Sequence, residues 1–418
     1  MACYRRRVAT KSVLIVGGGL IGLTSALALH ERGAAVAVVD AARLGSGAAR
    51  GNAGFVSPTL MAPLAGPGML RRAAGALFRR DGPLRIHPRA VPSMLHWSVR
   101  LLRAGTAERF SAAQAALAGL NSDLDRLLGE LAELGVDVAR GEEIVVPVHD
   151  VAFAERFHAE LHRMSGFGAA APGDLLDGDE VRRIVPALTD HVRAGFVLPG
   201  NRALDPRRYV DTLISALESR GVVLLEGRSI TGFDVHGDRV RRVRTNQGPL
   251  DADELVLAAG AGIRALGRPL GLRLDVVAGQ GYNVALPASC GLDRPVIVEE
   301  VHAVATPFAD RIRLGGTMEL AGDSPPFNSR RVETVVRSMR PFLDLEWTAQ
   351  REPWSGPRPM SADGLPLIGR PRAFSNVVVA GGHGMFGLTL APATARVVAD
   401  LIVDGGTSAD LSAFDPDR

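Results

Sequence analysis

The stretch SVLIVGGGLIGLTSALALHERGAAVAVVD, residues 12–40, reads as one βαβ unit. Val13 to Val16 form an apolar strand, Gly17, Gly19 and Gly22 a turn, and the residues to about Arg32 a helix. Gly33 breaks that helix, Val36 to Val39 make a second strand, and Asp40 closes it. Each glycine has a physical task. Gly17 permits the tight turn, Gly19 lets backbone approach a pyrophosphate, and Gly22 lets the helix lie close on the strand. The pyrophosphate would rest on the helix N-terminus, where free N–H groups and the helix dipole favour negative charge. Asp40 stands where a carboxylate accepts ribose hydroxyls of an adenine dinucleotide. A glycine turn arises easily in a chain with 48 glycines. Here strand, turn, helix, strand and acid follow in the order that dinucleotide binding requires.

The 418 residues, 46% hydrophobic and 22% charged, suffice for a large core in two interlocked domains. A net charge of +3 gives no reason to expect nucleic acid as a partner. Cys3 and Cys290 form neither a disulfide framework nor a metal site, so no metal is expected. The basic start (Arg5, Arg6, Arg7, Lys11) followed by an apolar run imitates a secretory signal. That run is the first strand of the βαβ unit and is interrupted by glycines. With no apolar stretch of spanning length, a cytoplasmic location is expected.

Beyond Asp40, residues 41–58 form a Gly/Ser/Asn-rich loop suited to close approach of a ligand. Met69 to Arg80 reads as a basic amphipathic helix, and arginines continue to Arg103. The plainer reading is a helix packed on the core; the sharper one is a peripheral membrane or partner-subunit contact through residues 69–103. Leu117, Leu120, Leu124, Leu127, Leu131 and Leu134 recur at helical spacing as core. A strand is expected over 143–148 and a helix over 153–164. A second helix, capped by Asp205 with Pro206 at its first position, runs to Ser219. A β-meander is expected over 230–253, strands over 222–225, 255–257, 276–284, 296–304, 311–316 and 377–379, and a last helix over 388–402.

The βαβ unit, the meander and a second glycine turn before the last helix resemble the flavin-dependent amine oxidoreductases, a family including D-amino acid oxidase, glycine oxidase and D-amino acid dehydrogenase. The resemblance spans nearly the whole chain. It is carried by Val16-Gly-Gly-Gly-Leu-Ile-Gly22, Gly51-Asn-Ala-Gly-Phe-Val-Ser-Pro58, Leu257-Ala-Ala-Gly-Ala261 and Arg313-Leu-Gly-Gly-Thr-Met-Glu319. Arg358-Pro-Met-Ser-Ala-Asp-Gly-Leu-Pro366 and Gly382-His-Gly-Met-Phe-Gly-Leu-Thr-Leu-Ala-Pro392 complete it. It implies an α/β fold: a Rossmann-like FAD-binding domain (11–65, 200–270, 350–418) interleaved with a substrate domain (66–199, 271–349) on a mostly antiparallel sheet with helices.

The implied cofactor is FAD, held non-covalently, since no cysteine lies in Trp354 to Gly364. By the resemblance, Gly17, Gly19 and Gly22 hold the pyrophosphate, Asp40 the ribose, and Arg43 lies near the adenosine. Gly51, Asn52, Ala53 and Gly54 pass beside the isoalloxazine, Ile230 offers backbone to the adenine, and Ala259 and Gly260 close over the cofactor. Gly384, Met385, Phe386, Gly387, Leu388 and Thr389 place N–H groups at a helix N-terminus facing the flavin O2/N1 edge, where reduced flavin is negative. Arg358 is the expected grip on a substrate carboxylate; its structural alternative is a pair with Asp363. Tyr282 is read as a second donor to the carboxylate or a wall, and His302, Thr306 and Phe308 as pocket-lining. His383 is read as a structural histidine near the flavin, while His87 and His96 carry no signal.

The implied reaction is oxidative deamination of a D-amino acid by hydride transfer from Cα to flavin N5, giving a 2-oxo acid and ammonia. The electron acceptor is oxygen or a quinone or electron-transfer partner. Three alternatives stand beside it: oxidation of sarcosine, proline or hydroxyproline; an NAD-dependent dehydrogenase, disfavoured by the Gly382 to Pro392 motif; and a flavin subunit docking on a partner chain through Arg71, Arg72, Arg79 and Arg80.

Overall fold

The computed structural model describes residues 11–66, 82–138, 141–166, 170–322 and 325–418. Two large sheets dominate it. The first has six strands in the order Leu367–Gly369, Val377–Gly381, Glu254–Leu257, Ser12–Val16, Ala35–Val39, Val223–Leu225. All neighbours in it run parallel except the first pair. Its strands are short runs of Val, Ile and Leu because both faces are covered, as parallel sheets demand. The helices Leu20–Glu31, Pro206–Ser219 and Gly387–Ala399 supply apolar cover. Asp205 accepts the Arg207 N–H at 2.9 Å and Pro206 opens the helix, as the sequence indicates. A three-stranded meander, Ile230–His236, Arg239–Thr245 and Gly248–Asp251, stands where it is expected.

The second, mostly antiparallel sheet runs Glu352–Ser361, Val276–Pro287, Arg311–Leu320, Ala303–Pro307, Val296–Val298, Glu143–Val148, Ala194–Ala203, Phe55–Val56. Register places Trp354, Asn283, Gly315, Val304 and Ile297 side by side across five of its strands, on one face. That face forms one wall of the site.

Several elements differ from the sequence reading. The strand Glu352–Ser361, grouped by sequence with the FAD-binding segments, pairs with Val276–Pro287 over ten residues and so belongs to the second sheet. Its prolines, 353, 357 and 359, disguise it. They share one parity of an edge strand, so their missing N–H groups cost no ladder bond. The expected strand over 296–304 is interrupted by a turn at Glu299–Val301, which places Glu300 to accept the N–H groups of His149 and Asp150 at the start of helix Val151–Ser165. The leucine ridge is split between helices Ala107–Leu120 and Leu124–Glu133, because Asn121 and Asp123 favour turn and cap conformations. Its leucines remain core apart from half-buried Leu134. The ten-residue strand Ala194–Ala203 was not foreseen.

The expected helix over 69–80 lies outside the described residues. In the described part of that region, helix Leu95–Ala104 buries Trp97 and Leu101 and exposes Leu95, Val99 and Leu102. No helix among the described residues is long and apolar enough to cross a membrane, and no cluster there could hold a metal ion.

Candidate active site

One continuous cavity of about 1450 Å³ lies between the two sheets. The glycine turn forms one part of it. Gly17, at φ +118°, donates its N–H to Val39 O at 2.9 Å, and a Cβ there would overlap the Ala258 carbonyl. A Cβ on Gly22 would overlap the Gly17 carbonyl, so this glycine sets how closely helix Leu20–Glu31 lies on the turn. No side chain caps that helix at Gly19, so no side chain competes with an anion for its first-turn N–H groups. Asp40 borders the cavity and accepts the N–H groups of Gly18 (2.7 Å) and Ala42 (2.8 Å), which fixes its carboxylate and leaves lone pairs for hydroxyls. Arg43 is exposed and does not border the cavity. Arg228, Ser229 and Ile230 do, as do Ala259 and Gly260. Glu226, unread in the sequence, accepts the Leu44 N–H at 2.7 Å and holds the loop after Asp40.

Gly51, Asn52 and Ala53 border the cavity; Gly54 sits behind them, where a Cβ would come 2.5 Å from Leu204 O. Gly384, Met385, Phe386, Gly387 and Leu388 also border it, and Thr389 stands behind, its hydroxyl accepting the Ser57 N–H at 3.2 Å. Helix Gly387–Ala399 begins with Phe386 at its N-cap and no side-chain cap, so its opening N–H groups are available at the cavity wall. These features suit a dinucleotide flavin: an uncapped helix end for the pyrophosphate, an acid for the ribose, and a second helix end for the ring edge.

His383 is buried, with Nε2 2.9 Å from Thr394 Oγ1, and burial lowers its pKa to about 3. It is therefore neutral across the working range and structural. The unfolded imidazole takes a proton below about pH 6.5, while the buried one waits until about pH 3. The unfolded state thus binds more protons in that window, and stability falls as pH falls through it. Between pH 7 and 5 this amounts to about 2 kcal/mol. His383→Asn is expected to remove that part of the acid sensitivity in urea titrations at the two pH values.

Arg358 points from the edge strand into the cavity and has no hydrogen bond or ion pair among the described residues. Burial lowers its pKa to about 10, so it stays charged at neutral pH. Gly281 forms its bed: a Cβ there would lie 2.8 Å from Arg358 Cζ. Asp363, the alternative partner read from sequence, bonds Arg418 instead at 2.8 and 3.0 Å. Burial opposes ionisation of Asp363, and the Arg418 guanidinium outweighs it, holding the carboxyl below its usual value.

Tyr282 borders the cavity, but its only O–H donates to Glu319 Oε2 at 2.9 Å and its ring packs beneath helix Ser329–Met339. Burial and the Glu319 carboxylate push the phenol pKa up. As a second donor to a substrate carboxylate it is therefore committed elsewhere. His302 borders the cavity at the turn, with φ +49° and Nδ1 3.0 Å from Glu299. Thr306 and Phe308 do not border it. Thr306 donates to Ala53 O at 2.7 Å, and the Phe308 ring lies under Arg311. The sequence reading also missed an apolar part of the wall: Phe55, Leu60, Phe110, Phe153, Phe157 and Met164. Phe153, Phe157 and Met164 share one face of helix Val151–Ser165, and their spacing was the available signal.

The glycine turn, the Asp40 carboxylate beside it and the unpaired Arg358 guanidinium thus border one cavity, an arrangement that suits a dinucleotide-dependent oxidoreductase. The chain belongs to the FAD dependent oxidoreductase family, whose model matches residues 12–401, and is an FAD-dependent enzyme. It is 34% identical to the D-amino acid dehydrogenase of Methylobacterium nodulans over 93% of this chain and 94% of that one. It is 31% identical to the D-amino acid dehydrogenase of Rhizobium johnstonii over 96% and 98%. Among solved structures, glycine oxidase from Geobacillus kaustophilus superposes with a TM-score of 0.74 at 24% identity, covering 98% of this chain and 99% of that one. L-proline dehydrogenase from P. horikoshii gives 0.70 at 20% identity, covering 98% and 97%.

Proposed function

We propose that this enzyme oxidises a D-amino acid to the imine, which water converts to a 2-oxo acid and ammonia. The observation that carries this reading is the unpartnered Arg358 guanidinium in the cavity wall. A planar fork with no protein anion is matched to a carboxylate through two parallel charge-assisted bonds. FAD supplies the hydride acceptor. The chain's own residues bind and orient: Gly17, Gly19 and Asp40 toward the dinucleotide, Arg358 toward the carboxylate. The carboxylate anchor and residues 51–54, passing beside the isoalloxazine, together set Cα within reach of the acceptor, and positioning of this kind is a large share of the rate. No histidine base is required, because hydride loss from the neutral amine gives the protonated imine with no proton to abstract, and His383 is held neutral in any case. The relatives named D-amino acid dehydrogenase support the stereochemistry. Non-covalent FAD is supported by Cys290, which is buried and does not border the cavity.

The test is anaerobic bleaching of the flavin by D- and L-amino acids, glycine, sarcosine and prolines. D-amino acids are expected to bleach it fastest. The apolar wall around Phe153 and Phe157 further favours D-phenylalanine and D-methionine over D-aspartate. Bleaching by N-methyl or cyclic substrates alone would replace this reading with secondary-amine oxidation. Readmitting air then separates an oxidase from a dehydrogenase.

A further inference from the structure

The loop that borders the cavity at residues 51–53 is held from behind by the second sheet, carbonyl by carbonyl. Arg313 Nη1 donates to Arg50 O (3.2 Å) and Asn52 O (2.5 Å). Asn283 donates to Gly51 O (2.5 Å), and Thr306 to Ala53 O (2.7 Å). Thr306 and Arg313 are cross-strand partners, and Asn283 and Gly315 pair two residues along, so all three donors rise from one sheet face.

A trans peptide unit is planar with its C=O and N–H directed oppositely. Each captured carbonyl therefore aims the next residue's N–H away from the sheet. Two of these four N–H groups are used within the loop: Asn52 donates to Ala49 O (2.9 Å) and Gly54 to Asn52 Oδ1 (2.8 Å). The other two, on Gly51 and Ala53, have no acceptor among the described residues, and both residues border the cavity. They belong to the two peptide units whose oxygens Arg313 holds.

Arg313 is an unusual choice for a merely structural clamp. It is 2% exposed, and Asp205 and Asp310 bond its neighbour Arg311 instead. The ends of the two peptide dipoles are thus the hydrogen-bonded compensation for its charge. A cation on a carbonyl oxygen polarises the whole unit and strengthens the donor at its far end. Burial lowers the Arg313 pKa to about 9, which leaves it charged at neutral pH.

We infer that Arg313 is a positioning residue for the flavin: it orients and polarises the Gly51 and Ala53 N–H groups so that they donate into the flavin site. This rests on the proposed passage of residues 51–53 beside the isoalloxazine. A cation one peptide unit away from each donor also favours the more negative, reduced cofactor, so the pair tunes reduction as well as binding.

The experiment compares the wild-type holoenzyme with Arg313→Met, Arg313→Lys and Ala53→Pro, which deletes one N–H outright. The readouts are the FAD midpoint potential, the visible flavin spectrum, the FAD Kd on reconstituting apoprotein, and apoprotein Tm. Arg313→Met is expected to lower the potential, alter the spectrum and weaken FAD about tenfold, the loss of roughly one or two net hydrogen bonds. Arg313→Lys, which keeps the charge but not the reach and planar geometry of the guanidinium, is expected to fall between. Should the methionine variant fail to fold, the lysine variant decides alone: wild-type potential and spectrum there overturn the inference. A lower Tm with unchanged potential and spectrum in either Arg313 variant also overturns it. If Ala53→Pro is equally silent, the loop's placement beside the flavin fails with it; if Ala53→Pro shifts both readouts, only the role of Arg313 fails.

Discussion

Arg358→Met is expected to abolish most turnover while leaving the resting protein at least as stable as the wild type. Two charge-assisted hydrogen bonds to a carboxylate contribute roughly 3–6 kcal/mol together, so kcat/KM should fall by roughly 10²- to 10⁴-fold. FAD should remain bound at wild-type stoichiometry, because no residue of the glycine turn or of the 384–389 helix start depends on this side chain. The stability expectation has the opposite sign for a simple reason. Substrate-free, the guanidinium has no counter-anion among the described residues and is partly desolvated. Removing an unpaired, partly desolvated charge relieves a cost, and methionine of similar volume keeps the packing. Calorimetry without substrate should therefore show an unchanged or raised Tm, and steady-state kinetics the loss. The same geometry sets a pH limb. An amine-free carboxylate inhibitor binds the protonated guanidinium, so its Ki should rise as pH passes through about 10. A variant with normal kinetics would remove Arg358 from the substrate site, and one that lost FAD would place it in the cofactor's.

What was legible in the sequence was local. Asp205 and Pro206 announce a helix start because cap and first-turn chemistry lie within three residues, and the βαβ unit reads clearly because turn, helix and acid are contiguous. The lone state of Arg358 depended instead on a competition that no motif records: Asp363, five residues away, is taken by Arg418. Tyr282 shows the same limit, since strand register and Glu319, 37 residues on, decide where its hydroxyl goes. The clamp on residues 50–53 was the least accessible. Arg313 stood in a recognised motif, but its acceptors lie more than 250 residues earlier, and a donor to peptide oxygens leaves no mark on the residues it holds. The edge strand carrying Arg358 was hidden by the prolines that its edge position tolerates.

Gly22→Ala and Gly129→Ala make the same chemical change in two helices and should have opposite outcomes. In an exposed helix interior, replacing glycine by alanine stabilises by up to about 1 kcal/mol, because the unfolded chain loses freedom and the helix gains propensity. Gly129 is such a site: it lies on the exposed side of helix Leu124–Glu133, and a Cβ there meets nothing within 4 Å. Gly22 carries the same propensity gain, but its Cβ would overlap the Gly17 carbonyl and lie 3.3 Å from the Ile15 side chain. Neither backbone can yield without moving the helix off the strand, and overpacking of this kind costs about 1–3 kcal/mol. The larger consequence falls on the cofactor. Lifting helix Leu20–Glu31 carries its uncapped N-terminus away from the Asp40 carboxylate, and with it the geometry that both would offer to one dinucleotide. FAD affinity is therefore expected to drop at least tenfold in Gly22→Ala, the effect of about 1.4 kcal/mol lost at the pyrophosphate, while Gly129→Ala binds FAD normally and melts slightly later. Reconstitution of the two apoproteins, followed by flavin fluorescence, measures both. Equal FAD affinity in the two variants would mean that close packing of this helix is incidental to cofactor binding.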